Sequence, residues 1–424
     1  MDTAETDGMR AYVLHPDIQT DTDRREPEPA LEEAVSLAYA LPGLEVVGGE
    51  VVRLPRAHPG ALFGSGKIED LKTQLKRDEI GLVLVDGPVS PVQQRNLEKA
   101  WDVKVLDRTG LILEIFSDRA RTKEGVLQVE MAHLSYQRTR LVRAWTHLER
   151  QRGGLGFIGG PGETQIEADR RAIDEQLNRL KKQLDKVVKT RELHRASRAK
   201  VPFPVVALVG YTNAGKSTLF NRLTGAEVMA KDMLFATLDP TMRQVVLPTG
   251  KKVILSDTVG FISDLPTQLV AAFRATLEEV LAADLIVHVR DISHDEAEEQ
   301  AEDVEAILSD LGVDETIPVL EFWNKIDRLP ADRRTTLEAQ AARTDNVLAM
   351  SAWTGEGMDA VGTAIAQLAD DARTRRRITV PYSDGRRRAW LHEQGVVEAE
   401  SQDEAGFTLD VNWTARQEKR FRDL

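Results

Sequence analysis

The stretch Val205–Gly225 reads VVALVGYTNAGKSTLFNRLTG. Its first five residues are apolar and predict a buried strand, and the residues from Lys216 onward predict a helix. Between them, Gly210, Gly215, Lys216 and Ser217 match the pattern G-x-x-x-x-G-K-[ST] at every fixed position. Backbone N–H groups of such a loop wrap phosphate oxygens at the start of the helix, where the helix dipole favours negative charge. The stretch therefore predicts a nucleotide-binding P-loop in an α/β fold.

The fixed side chains of this loop have distinct predicted roles. Lys216 can reach the β- and γ-phosphates of a nucleotide, and Ser217 can offer its hydroxyl to Mg²⁺. The remaining predicted nucleotide contacts in the loop are Tyr211, Thr212, Asn213, Ala214 and Thr218.

Two motifs further along the chain predict groups that respond to a γ-phosphate. Thr237 lies in FATLDPT, where its hydroxyl can bind Mg²⁺ and its N–H the γ-phosphate; Phe235 of the same motif is a further predicted nucleotide contact. Asp257 begins DTVG, so its carboxylate can hold Mg²⁺ through water and the Gly260 N–H can contact the γ-phosphate. Such segments act as switches that order on GTP and relax on hydrolysis. The predicted catalytic residues are Lys216, Thr237 and Gly260.

Two later motifs predict a preference for guanine. In NKID, Asn324, Lys325 and Asp327 follow a predicted strand, and the Asp327 carboxylate can accept from guanine N1–H and the 2-amino group. Adenine offers neither donor and would leave that carboxylate without a partner, which is a large penalty. In SAW, Ser351 precedes Ala352, whose N–H can reach guanine O6. All five motifs stand in the order of a GTPase, each at the carboxyl end of a strand, where open α/β sheets bind ligands.

Two residues bear on how hydrolysis proceeds. Phe261 follows the DxxG glycine, where many GTPases have a glutamine that orients the attacking water, and a phenylalanine cannot do this. Either another group positions the water or activity depends on a partner, and we expect slow turnover by the isolated chain. Asn213 suits a potassium-stimulated GTPase but equally a simple cap of the loop.

The rest of the chain predicts three further parts around the P-loop domain, which we place at 201–374 with a doubly wound sheet. Strands alternate with helices over 1–118, which predicts an N-terminal parallel α/β domain. Residues 119–200 contain two long amphipathic helical patterns joined by glycines, which predict a helical hairpin. Residues 375–424 predict a small α+β domain with the order β-α-β-β-α.

The glycine-rich connection contains Gly154, Gly156 and Gly159 at the spacing of a dinucleotide-binding loop. A helix rather than a strand precedes it, so a dinucleotide site is not predicted. Between Arg119 and Lys200 there are 19 Lys and Arg against 10 Asp and Glu, a local charge of +9 in a chain of net charge −13. A basic hairpin with a glycine tip predicts contact with RNA. The candidate contacts are Arg150, Arg152, Gly153, Gly154, Gly156, Phe157 and Gly159.

Composition excludes several classes of protein. The chain has 424 residues and no cysteine, so disulfides and cysteine-based metal sites are excluded. No apolar run approaches the length of a membrane helix, and the acidic N-terminus is not a secretory signal. We expect a cytoplasmic monomer, with no DNA partner and no membrane insertion.

These motifs together resemble the HflX-type ribosome-associated GTPases. The resemblance is carried by FGSGKIEDL at 63–71, GGLGFIGGPGETQIEADRR at 153–171, GYTNAGKSTLFNRLT at 210–224, LFATLDPTMR at 234–243 and DTVGFI at 257–262. It implies Mg²⁺-dependent GTP hydrolysis, binding to the large ribosomal subunit and its rRNA, and splitting of stalled ribosomes under stress. It places the hairpin toward the peptidyl-transferase region.

The resemblance also implies ATP hydrolysis involving the N-terminal domain, for which the sequence gives little support. FGSGKI has Ala61 at the place of the first P-loop glycine and Ile68 at the place of the Mg²⁺-binding hydroxyl, so a structural turn before a helix is the favoured interpretation. Two functional hypotheses stay open. One is an enzyme that remodels ribosomes, and the other is a binding module in which GTP only gates docking to RNA.

Overall fold

The computed structural model describes residues 8–21, 25–151, 161–198, 203–226, 233–238, 241–263, 277, 279–369, 374–403, 406–413, 415–422 and 424. Side chains of 141–151, 161–166, 189–198, 374, 415, 416 and 419 lie outside this description. The described residues cluster into two units: the first contains those of Met1–Leu184 and Lys231–Leu238, and the second those of Asp185–Ala230, Asp239–Ser263 and Arg274–Leu424.

The first unit is built on a four-stranded parallel sheet. Its strands are β1 (Met9–Ile18), β2 (Leu44–Leu54), β3 (Leu82–Val85) and β4 (Lys104–Asp107), in the order β2-β1-β3-β4. The helices between and after them are α1 (Pro27–Ala40), α2 (Ser65–Arg77), α3 (Pro91–Trp101) and α4 (Arg108–Arg119). Strand residues such as Val83, Leu14 and Val105 are buried, because helices cover the faces of a parallel sheet.

The turn FGSGKI serves the packing of this unit. Phe63 is buried in its core, α2 begins at Ser65, and the Lys67 Nζ pairs with a Glu50 carboxylate oxygen at 2.8 Å. Ile68 packs against the same core. The side chains of this turn are therefore engaged within the domain.

Two long helices follow, α5 (Lys123–Gln151) and α6 (Pro161–Arg198). Arg138 of α5 pairs with Asp174 of α6, with 2.8 Å between Nε and Oδ1. Residue 138 lies in the middle of its helix and residue 174 in the first half of the next, which is the pairing that an antiparallel hairpin produces.

The second unit contains a six-stranded sheet in the order β10-β9-β8-β5-β7-β6. Its strands are β5 (Val205–Val209), β6 (Thr241–Val246), β7 (Lys252–Asp257), β8 (Leu285–Asp291), β9 (Val319–Asn324) and β10 (Val347–Ala349). The described helices are α7 (Lys216–Thr224), α8 (Ala297–Asp310), α9 (Ala331–Ala341) and α10 (Met358–Leu368). Strand β5 lies between β7 and β8 and runs parallel to both, so the carboxyl ends of these three strands are adjacent.

The C-terminal part of this unit has a separate three-stranded antiparallel sheet, in the order β11-β13-β12. Its elements are β11 (Thr374–Val380), α11 (Gly385–Glu393), β12 (Val397–Asp403), β13 (Gly406–Trp413) and α12 (Ala415–Arg422). Leu391, Leu409 and Trp413 lie in its core.

The predicted fold class is confirmed, with two additions. Strand β6 runs antiparallel to β7 at the edge of the sheet, whereas the sequence pattern predicts only parallel strands there. Helix α4 is also absent from the sequence prediction, because its sequence RTGLILEIFSDR is apolar over a short run and follows β4 without a turn signal. The domain boundaries drawn from the sequence stay predictions. Within the described residues, we find no helix with the length and apolar character required to span a bilayer.

Candidate nucleotide-binding site

The P-loop adopts a backbone that only its glycines permit. Gly210 has φ +147°, and a Cβ built there would lie 2.2 Å from the Val289 carbonyl oxygen. Gly215 has φ +99°, and its Cβ would lie 2.2 Å from Nδ2 of Asn324. A side chain at Gly210 would clash with the backbone of β8, and one at Gly215 would displace the Asn324 side chain. The first glycine thus seats the loop on the sheet, and the second places it against the NKID motif.

Lys216 starts α7 and is almost fully buried. Its Nζ donates to the carbonyl oxygens of Gly210 at 2.9 Å and Tyr211 at 2.6 Å. Burial lowers the pKa of Lys216 to about 8, and the nearby Asp257 carboxylate opposes that shift. An ammonium held inside the loop in this way is a ready partner for phosphate oxygens, which would restore its full charge.

The two predicted Mg²⁺ ligands of the sheet edge are adjacent. Ser217 Oγ donates to Asp257 Oδ2 at 2.8 Å. Asp257 ends β7 and is fully buried. A hydroxyl and a carboxylate are hard oxygen donors, and nucleotide phosphates can complete such a set around Mg²⁺. Among the described residues no three His, Cys, Asp or Glu side chains form a metal cluster.

The DxxG segment lies directly against the P-loop. A Cβ at Gly260 would be 2.9 Å from the Thr212 Cα and 3.1 Å from the Lys216 Nζ. Phe261 is 2% exposed, so its ring lies among other side chains and not in solvent. The side chain after the DxxG glycine therefore contributes packing.

The residues predicted to read the base are held by one another. Asn324 Nδ2 donates to the Ala214 carbonyl at 2.7 Å, and its Oδ1 accepts from the Ala352 N–H at 2.9 Å. Ser351 Oγ donates to Asp327 Oδ1. This network joins the P-loop with the loops that follow β9 and β10, so NKID and SAW are brought together as predicted from their places at strand ends.

One residue of this edge is not among the sequence-predicted contacts. Asp291 ends β8, and its Oδ2 pairs with the Nζ of Lys325 at 2.7 Å. Lys325 has φ +67°, a left-handed conformation. The sequence does carry a signal for it: a carboxylate at the carboxyl end of the central strand DLIVHVRD stands where site residues are found.

Thr237 and Phe235 belong to the segment Met233–Leu238, which clusters with the first unit. Phe235 has φ +55°, and its ring packs edge-on against Phe116 of α4, with ring centroids 4.6 Å apart. Arg119 of the same helix donates a long 4.0 Å contact to Met233 Sδ. The expected contacts of Thr237 and Phe235 with nucleotide and Mg²⁺ stay predictions.

The RNA-contact candidates fall largely beyond the description. Arg152, Gly153, Gly154, Gly156, Phe157 and Gly159 lie outside the described residues. Arg150 belongs to α5, with only its backbone described.

A P-loop with a hydroxyl–carboxylate pair at its mouth and an aspartate-bearing loop beside it defines the class of this protein: it is a P-loop GTPase. Family models match nearly the whole chain, as GTP-binding GTPase N-terminal at residues 28–117, GTP-binding GTPase Middle Region at 119–198, 50S ribosome-binding GTPase at 205–325 and HflX C-terminal domain at 336–422. The chain belongs to the HflX family of GTPases.

Relatives agree along most of their lengths. The GTPase HflX of Magnetococcus marinus is 52% identical over 387 residues, covering 91% of this chain and 88% of that protein. The GTPase HflX of Escherichia coli is 42% identical over 401 residues, covering 94% and 92%. Among solved structures, a GTP-binding protein from Sulfolobus solfataricus in complex with GDP is 24% identical with a TM-score of 0.46, covering 85% and 99%.

Proposed function

We propose that this GTPase binds the large ribosomal subunit in its GTP form, splits or rescues stalled ribosomes, and is stimulated in hydrolysis by the ribosome. The observation that carries the proposal is the presence, in one chain, of the GTP site and a basic helical hairpin that is anchored to its own domain. The match of residues 205–325 to the 50S ribosome-binding GTPase model supports the ribosomal part of the proposal.

The anchor of the hairpin supports a mechanical role. Tyr136 of α5 donates to Asp107 Oδ1 at 2.6 Å, and Arg140 Nη1 donates to Asp107 Oδ2 at 2.9 Å. The Arg140 guanidinium also lies over the Tyr136 ring. Burial and the Asp107 carboxylate both raise the pKa of Tyr136, so its hydroxyl stays a donor at physiological pH. A hairpin held near the middle of α5 can transmit force to RNA at its tip.

In the GTP form, we propose that Ser217 and Thr237 hold Mg²⁺ directly and that Asp257 holds it through water. The ion would neutralise charge on the β- and γ-phosphates. Lys216 then pairs with those phosphates, while the Gly260 N–H and Thr237 N–H bind the γ-phosphate. Asn213 is the candidate for a K⁺ site, and equal GTP turnover in K⁺ and Na⁺ would exclude one there.

Slow basal hydrolysis is the second part of the proposal. The buried Phe261 ring cannot orient water, so the isolated chain lacks the usual group for that step. A ribosomal contact that supplies or arranges such a group would give a large acceleration, since one well-placed catalytic group is worth about 10²–10³-fold.

A second candidate function follows from the same contacts. GTP could gate docking of the hairpin to RNA without any splitting, and hydrolysis would then only reset the cycle. Sucrose-gradient profiles of intact ribosomes with GTP, or with a nonhydrolysable analogue, separate the two. Splitting gives free subunits, gating alone gives co-sedimentation with intact ribosomes, and no co-sedimentation at all would overturn both.

The predicted hairpin tip is tested by charge reversal. Arg150→Glu with Arg152→Glu should weaken ribosome binding by roughly ten-fold or more and flatten its salt dependence, because phosphate contacts release counterions. GTP affinity should not change. The matched control is Arg95→Glu with Arg343→Glu, which makes the same change of charge at two exposed arginines outside the basic segment. A fall in GTP affinity in the tip variant would instead place the tip at the nucleotide.

A further inference from the structure

The two residues after the DxxG glycine are part of the core of the second unit. Phe261 is 2% exposed and Ile262 is fully buried. Phe261 N donates to the Gly210 carbonyl at 3.1 Å, and Thr212 N donates to the Phe261 carbonyl at 2.6 Å. These bonds form a short parallel bridge between Tyr211 and Phe261. The P-loop and the DxxG segment are thus joined through their backbones.

Side-chain hydrogen bonds extend this connection to Ser263 and Asp303, and we call this set of bonds the relay. Ser263 N donates to the Tyr211 hydroxyl oxygen at 2.8 Å, and the hydroxyls of Tyr211 and Ser263 are 2.6 Å apart. Ser263 Oγ donates to Asp303 Oδ2 of α8 at 2.7 Å. Tyr211 and Ser263 are both buried.

The direction of the relay follows from counting protons. A carboxylate only accepts, so the single hydroxyl proton of Ser263 points to Asp303. Ser263 Oγ must then accept from Tyr211, whose hydroxyl donates to it while accepting from the Ser263 N–H. Tyr211 therefore makes two hydrogen bonds to one residue, and α8 fixes their polarity.

These bonds also restrain Gly260, whose N–H we expect to contact the γ-phosphate. Gly260 lies between Asp257, at the end of β7, and the bonded residues 261–263, so both sides of this glycine are held. Its backbone already lies close to Thr212 and the Lys216 Nζ. An N–H that is held in place before the reaction stabilises developing charge without reorganisation.

We propose that Tyr211 is a positioning residue for GTP hydrolysis. Through Ser263, backed by Asp303, it fixes the DxxG segment so that the Gly260 N–H faces the γ-phosphate. The proposal rests on the expected contact of Gly260 with that phosphate and is independent of ribosome binding.

The test measures single-turnover GTP hydrolysis and the affinities for GDP and a nonhydrolysable GTP analogue, in full-length protein without ribosomes. Tyr211→Phe keeps the ring and removes the hydroxyl. Hydrolysis should fall by about ten-fold and analogue affinity several-fold, whereas GDP affinity, which involves no γ-phosphate, should change less than about two-fold. Ser263→Ala removes one of the two hydrogen bonds and keeps the one from the N–H of residue 263, so its loss should be in the same direction and no larger. The double variant should be no worse than Tyr211→Phe alone, because both changes act on the same contact.

Tyr382→Phe is the matched control. Its hydroxyl also donates a 2.6 Å hydrogen bond, to the Asp403 carbonyl of the C-terminal sheet, and its loss should leave hydrolysis unchanged. Additive effects of Tyr211→Phe and Ser263→Ala, equal losses of GDP and analogue affinity, or unchanged hydrolysis would each overturn the proposal. Ser263→Ala keeps it testable if Tyr211→Phe does not fold. Because ribosomes are absent, failure of the proposed ribosomal function cannot produce any of these outcomes.

Discussion

Ser217 Oγ and Asp257 Oδ2 are joined by a 2.8 Å hydrogen bond, although one residue lies in α7 and the other ends β7. The P-loop and the DxxG strand therefore meet at the place where we expect Mg²⁺. Because the two oxygens are already adjacent, we expect that binding of Mg²⁺ there would need little rearrangement of the protein.

Ser217→Ala is expected to lower GTP turnover by at least about 100-fold at physiological Mg²⁺, because a direct metal ligand is lost. Raising Mg²⁺ should restore part of the activity. Turnover as a function of Mg²⁺ concentration measures this, with Ser401→Ala of the C-terminal sheet as control. An unchanged Mg²⁺ dependence would remove Ser217 from the metal site.

Nucleotide binding should take up a proton. Burial lowers the Lys216 pKa to about 8, and phosphate oxygens should raise it again. Below about pH 8 Lys216 is already charged, so GDP affinity should not depend on pH. Above about pH 8 binding must protonate the lysine, so GDP affinity should fall as the pH rises. Calorimetry from about pH 7 to about pH 8.8 in two buffers of different ionisation enthalpy measures the uptake. Lys216→Met should abolish it, and a proton count of zero at the upper pH in the unaltered protein would contradict the assignment.

The base preference should depend on one carboxylate. Asp327→Asn replaces an acceptor by an amide, so GTP affinity should drop at least about 100-fold. Xanthosine triphosphate carries a carbonyl where guanine has its 2-amino group, and the new amide can donate to it. Competition between GTP and xanthosine triphosphate measures whether the preference of the variant has changed from the first nucleotide to the second. Equal losses for both would mean that Asp327 supports the loop but does not read the base.

The anchor of the hairpin should be a stability element separate from the GTP site. Asp107 accepts from Tyr136 and Arg140 and also caps α4 through the Gly110 N–H at 2.8 Å. Asp107→Ala should lower the free energy of unfolding by about 2–4 kcal/mol, since it leaves buried donors without their acceptor. Denaturant unfolding measures this, with the exposed Glu114→Ala on α4 as control. GTP affinity should be unchanged. A fall in GTP affinity alongside the loss of stability would contradict the claim that the anchor is separate from the GTP site.

The features that could be predicted from the sequence are local ones. The P-loop, DTVG, NKID and SAW are short patterns that follow apolar strands, and parallel strands place their ends on one edge of a sheet. This is why Ser217, Asp257, Asn324 and Ala352 can be grouped from the amino-acid sequence alone. Their grouping needs only that these strands run parallel.

The features that could not be predicted depend on pairs far apart in the chain. Tyr211 and Ser263 are separated by 52 positions, and Ser263 and Asp303 by 40. Single residues of common type carry no pattern at such separations. The antiparallel direction of β6 is unpredictable for a related reason, because no signal in MRQVV distinguishes the direction of an edge strand.

GTP turnover by the purified protein, with and without purified large ribosomal subunits, tests the central claim most directly. Saturating GTP and fixed Mg²⁺ keep nucleotide binding constant, so only hydrolysis responds. We expect slow turnover alone and an increase of at least about ten-fold with the subunit, because Phe261 leaves the water without its usual orienting group. Fast turnover by the protein alone, or the same rate in both conditions, would contradict the account.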